Sequence, residues 1–93
     1  MTSCLLHGPY ATLEAVHADL ARQLGLAEHF GANLDALWDM LVRDVPGPVE
    51  IAWPDFAEAR AVLGGGADRL RATLEEVAAE RRDVTVVIGA SRD

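Results

Sequence analysis

NLDALWDMLVRDVPGPVEIAW, residues 33–53, changes its hydrophobic period halfway along. Leu34, Leu37, Trp38, Leu41 and Val45 recur at the spacing of one helical face. Asn33 stands at the N-cap, where a side-chain carbonyl accepts a backbone N–H of the first turn. VPGP (45–48) must end the helix after about Arg43, because proline has no amide hydrogen and disfavours helical geometry in the residue before it. VEIAW (49–53) then alternates apolar with polar or small residues, as a strand does, and Pro54 stops it. A helix that feeds a strand through a short break is one half of an α/β unit.

The same grammar extends in both directions. SCLLH (3–7) is a short apolar strand ended by Gly8-Pro9. Thr12 caps a helix whose core stripe is Leu13, Val16, Leu20 and Leu24, with His17 partly buried beside it. Gly25 supplies the left-handed C-terminal residue and Leu26 folds back onto the helix end. Beyond the middle strand, Pro54-Asp55 opens a short helix through Phe56, Arg60 and Leu63, which Gly64-Gly65-Gly66 breaks as a turn. No Gly-Lys-Ser/Thr follows these glycines and no strand directly precedes them, so they are not read as a phosphate loop. Ala67 to Arg82 is the longest predicted helix, with Leu70, Leu74, Val77 and Ala78 inward. VTVVI (84–88) is β-branched enough for a strand buried on both faces. The order β-α-α-β-α-α-β predicts an α/β fold: a small three-stranded parallel sheet with right-handed crossovers, packed with about four helices in a single domain spanning 1–93.

Composition narrows the function. The formal charge is −7, from 15 acids against 8 bases, and every base is arginine. Such a chain is ill-suited to a phosphate backbone and well suited to a basic surface, so no nucleic-acid partner is expected. The lone Cys4 cannot form an internal disulfide, the N-terminus lacks a basic signal-peptide region, and no apolar run approaches a membrane span. A soluble, cytoplasmic protein without a membrane partner is expected.

Two acids raise the sharper question. Asp35 and Asp39 lie one turn apart with Trp38 between them, and no Lys or Arg within residues 31–40 neutralises either. Their repulsion costs roughly 0.2–0.5 kcal/mol. Asp39 is a poor mid-helix residue, and Asp44 opposes the helix dipole at the far end. On the long helix, Arg69, Thr73, Glu76 and Glu80 form one exposed stripe; Arg71 and Glu75 make a surface pair, and Arg81 and Arg82 partly screen Glu80. A carboxylate pair of this kind offers no obvious catalytic cleft, and a metal site would want convergent ligands, of which His29 is the one nearby candidate. Cys4, in a buried strand, is inert as a nucleophile. No enzyme activity, cofactor or metal is expected. What remains is a binding surface, acids and an aromatic arrayed for a basic protein partner.

GANLDALWD (31–39), with Glu28-His29-Phe30 before it, resembles the signature of the barstar family, intracellular protein inhibitors of the secreted ribonuclease barnase. The resemblance runs through His17, Trp53, Phe56, the acids of the long helix and the apolar last strand. It implies the same small parallel α/β fold, and a 1:1 complex with a basic, extracellular-type microbial ribonuclease, barnase-like or guanyl-specific. In that complex the second helix and the loop before it plug the nuclease active site. Asp39 would take the phosphate position, Asp35 would meet neighbouring cations, and Glu76 and Glu80 would engage the rim. His29, Phe30, Gly31, Asn33, Leu34, Trp38 and Val42 would supply contact area. His29 and Asp44 stand where the family pattern has tyrosine and tryptophan, and Thr73 where it has valine, so the rim differs while the charges remain.

Overall fold

The computed structural model describes residues 2–26 and 33–89. Along the chain, β1 (Thr2–Leu5) leads into α1 (Leu13–Leu24) and α2 (Leu34–Arg43). Then come β2 (Val49–Trp53), α3 (Phe56–Leu63), α4 (Gly65–Glu80) and β3 (Val84–Ile88). The strands form one sheet in the order β1-β2-β3, both pairs parallel, with Cys4 opposite Ile51 and Ile51 opposite Val86. The α/β architecture therefore has the predicted element order.

Strand alternation decides which face is covered. Cys4, Val49, Ile51, Trp53 and Val84 are buried, whereas Ser3, Leu5, Glu50 and Thr85 on the opposite face are exposed. The helices lie on the first face, where Val16, Leu20, Leu37, Leu41, Leu70, Leu74 and Val77 complete one core with the strands. Burying a leucine side chain of this kind is worth about 1.5–3 kcal/mol, so Leu37 and Leu41 alone anchor α2 firmly. Trp53, fully buried, meets Phe56 edge-on with ring centroids 5.0 Å apart.

The local signals behave as their chemistry requires. Thr12 and Asn33 each accept the N–H three residues on, from Ala15 and Ala36. Gly25 is left-handed at φ 73°, and Leu26 N–H donates to Ala21 O.

Several boundaries differ from expectation. The first strand is Thr2–Leu5, not Ser3–His7; Leu6 N–H still donates to Ala52 O, but the chain then turns towards Gly8. Of the three glycines, only Gly64 makes the turn, at φ 69°, while Gly65 and Gly66 open α4. Gly66 is buried, and a Cβ there would strike the Leu13 side chain, so this glycine serves close packing. The long helix ends at Glu80, two residues early, because Arg81 leaves it in an extended conformation. The last strand is not buried on both faces: it forms a sheet edge, Val86 to Ile88 are half-buried and Thr85 is exposed. The β-branched run reflects strand propensity rather than a central position.

The other sheet edge is protected. The Gln23 side chain accepts from Leu5 N–H at 2.9 Å and donates to Leu5 O at 2.8 Å, satisfying both edge groups as a neighbouring strand would. Gln23 is held in turn by Asp19, which also accepts from the Tyr10 hydroxyl and pairs with Arg22. Desolvation opposes ionisation of Asp19, but the bonds from Tyr10, Gln23 and Arg22 outweigh it and lower its pKa.

Candidate partner-binding site

α2 is amphipathic by construction. Leu37 and Leu41 point into the core, Leu34, Trp38 and Val42 are half-buried against it, and Asp35 and Asp39 stand exposed beside them. α4 packs along α2, presenting half-buried Thr73 and exposed Glu76 on the facing side. The Thr73 hydroxyl donates to Arg69 O, which folds its polar end back onto its own helix.

Between the two helices lies a concavity of about 320 Å³, lined by Leu34, Asp35, Trp38, Asp39, Thr73 and Glu76. The expectation that the acids have no cleft is thereby corrected. Ridges of two packed helices leave a groove that no single-helix projection displays. Three acidic residues from two helices line one hollow, with Trp38 and Leu34 contributing to its apolar part.

The absence of a nearby base also needs correction. Arg43, just outside the quoted stretch, places Nε 3.8 Å from Asp39 Oδ1. The pair is long and its side chains are 72% and 57% exposed, so water screens most of the attraction. Among the described residues, Asp35, Glu76, Asp44 and Glu80 make no ion pair. Arg81 does not screen Glu80 as expected; it turns towards Asp83 and the end of α2. Arg71 does pair with Glu75, at 3.2 Å, and its guanidinium also lies 5.2 Å from the Phe56 ring centroid.

The remaining predicted residues fall into two groups. Asn33, Val42, Asp44 and Glu80 are described but do not line the concavity: Asn33 caps α2, Asp44 is its C-cap, and Glu80 ends α4. His29, Phe30 and Gly31 lie outside the described residues. A smaller hollow of about 110 Å³ near Gly8, Tyr10 and Asp55 contains none of the predicted set.

Cys4 is 2% exposed, and burial pushes its thiol up to about 12, the state of an unreactive core residue. Among the described residues, no group of three or more His, Cys, Asp or Glu side chains converges as metal ligands would, and no helix is long and apolar enough to cross a membrane.

Residues 7–90 match the family described as Barstar (barnase inhibitor). The chain is also 32% identical over 79 residues to "Putative ribonuclease inhibitor YrdF" of Bacillus subtilis (strain 168), covering 85% of this chain and 87% of that protein.

Proposed function

The chain belongs to the barstar family, and we propose that it is a ribonuclease inhibitor whose α2–α4 face blocks a basic nuclease active site by imitating RNA phosphate. The observation that carries this reading is the hollow that Asp35, Asp39 and Glu76 line beside Trp38, with one weakly held arginine nearby. A carboxylate cluster left almost unpaired is a small cost in the free protein and a ready complement to a cationic cleft. Asp39, the exposed acid at mid-helix, enters where the scissile phosphate would sit. The hollow beside it accepts an arginine or lysine side chain from the nuclease, its stem against Trp38 and Leu34 and its charge between Asp35 and Glu76.

Two consequences follow from the physics of such a face. A field from a chain of charge −7 accelerates encounter with a cationic partner. The binding energy concentrates where charge is desolvated, at Asp39, rather than over the rim. Barstar with barnase is itself the standard illustration of both ideas, so they are inherited from the family. Inhibition requires no chemistry from the inhibitor: a 1:1 plug excludes RNA sterically, without catalytic turnover, cofactor or metal. The target belongs to the secreted barnase-like or guanyl-specific microbial ribonucleases, and the inhibitor protects the cytoplasm in which it acts.

The deciding experiment is titration of the protein into barnase and a panel of small microbial ribonucleases, reading RNA cleavage. Stoichiometric loss of activity with one or more of them is expected. Full cleavage across the panel, with capture of a basic protein that is not a nuclease, would replace the reading with that of a general acidic interaction module.

A further inference from the structure

The two walls of the hollow come from helices that are separate in sequence, and one side chain ties them together. Arg81 follows α4 immediately, its own N–H donating to Val77 O at 2.9 Å as the helix cap. Its guanidinium then reaches back to α2, where Nη1 donates to Leu41 O at 2.8 Å and to Val45 O at 2.7 Å. On its other edge, Nε and Nη2 hold the two Asp83 oxygens at 2.9 and 2.7 Å. The side chain is 15% exposed.

This is an unusual way to finish a helix. The last carbonyls of α2 have no partner within the helix, and its C-cap, Asp44, is right-handed rather than the left-handed glycine that ends α1. A cation from the end of α4 takes that role. Asp83 orients the guanidinium with two parallel bonds, a geometry that a planar fork achieves and an ammonium does not. The neighbouring backbone is built around the same pair: a Cβ on Gly47 would strike the Asp83 carboxylate, and Val49 N–H donates to Asp83 O at 2.8 Å. The linkage therefore spans α4, the Asp83 turn, the 45–48 break and α2.

We infer that Arg81 is a positioning residue: by clamping the C-terminal end of α2 to the end of α4, it sets the spacing between the Asp35/Asp39 wall and the Thr73/Glu76 wall, and through that spacing the tightness of inhibition. Arg81 lines no part of the hollow, so it acts on the partner through the two helices rather than by contact. The proposal concerning inhibition rests on the function proposed above; the proposal concerning spacing does not.

The test separates the two. Spin labels attached at Arg43→Cys and Ala72→Cys, both exposed, report the α2–α4 distance by pulsed electron resonance, with buried Cys4 left unlabelled. Well below the melting temperature, Arg81→Met should broaden or shift that distribution. Arg81→Lys, which reaches the carbonyls but cannot grip Asp83 with two nitrogens, should fall between. In unlabelled protein, Arg81→Met should weaken inhibition of the panel ribonuclease that the wild-type protein inhibits at least tenfold, mainly through faster dissociation, with Arg81→Lys recovering part of it. If Arg81 merely adds stability, Arg81→Met would lower the melting temperature and leave the distances of the folded protein unchanged, which would overturn the inference. A broadened distribution with undiminished inhibition would overturn its second half. If the wild-type protein inhibits no ribonuclease, the function proposed above falls and the distances alone judge the clamp. Should Arg81→Met fail to fold, Asp83→Asn removes the orienting charge while retaining the arginine, and the same distances decide.

Discussion

Replacing Asp39 by alanine should separate stability from inhibition. In the free protein two small effects oppose each other. The substitution removes repulsion from Asp35, a gain of roughly 0.2–0.5 kcal/mol, and removes the 3.8 Å pair with Arg43, an exposed i,i+4 contact worth about 0.3–0.5 kcal/mol. Alanine is also the better helix former at mid-helix by a few tenths of a kcal/mol. The net change is therefore neutral to slightly stabilising, and the melting temperature should move by less than about 4 °C in a domain of this size. In the complex the same carboxylate would face cations in a desolvated pocket. Opposite unit charges about 4 Å apart attract by roughly 4 kcal/mol at an effective dielectric of 20, part of which offsets desolvation. A loss of at least about 2 kcal/mol is expected, the level of an interface hot spot and about 30-fold in inhibition constant. Thermal unfolding and inhibition titrations on the same preparation provide the comparison. Unchanged inhibition would refute the phosphate-mimic reasoning. Weakened inhibition accompanied by a large fall in melting temperature would show that Asp39 supports the fold rather than the site.

Four further outcomes are expected. Raising salt should slow association of the wild-type protein far more than it speeds dissociation, and Glu76→Gln should flatten that salt dependence in stopped-flow measurements. Asp19, its pKa lowered below the ordinary 3.8, contributes stability that is complete above that value and is lost as pH falls through its folded value. Acid unfolding followed by circular dichroism should therefore be less pH-dependent in Tyr10→Phe, which loses a bond to a charged acceptor worth about 1.5 kcal/mol. Gly66→Val should destabilise the fold by about 1–3 kcal/mol in urea titrations, because the new side chain overlaps Leu13 at the α1–α4 contact. Cys4 should resist thiol reagents at neutral pH until the protein unfolds, since it is buried and its thiol is held up to about 12; rapid labelling of the native protein would show that β1 opens locally.

On the function proposed above, the anionic face accounts for local choices that a surface selected for stability alone would avoid. Asp39 at mid-helix and the like-charged step from Asp35 each cost a fraction of a kcal/mol, and the core that α2 buries through Leu37 and Leu41 exceeds that cost several-fold. The fold can therefore carry the charges without distortion.

Element order, caps and the acidic helix were legible in the linear chain because they depend on neighbours within about four residues. Asn33 and Thr12 accept the amides their positions demand, the Leu34–Val45 stripe turns inward, and Gly25 leaves its helix through the left-handed region. Features that depend on distant residues were not legible. A helical projection displayed Asp35 and Asp39, but the hollow exists because α4 lies alongside with Thr73 and Glu76. Val84–Ile88 reads as a buried strand, yet its place at the sheet edge leaves part of it uncovered. Arg81 reads as a surface charge near Glu80, and only the approach of α2 gives it two carbonyls to hold. Short-range patterns choose the helices and strands; long-range packing decides which faces meet, and the candidate binding surface arises where they do.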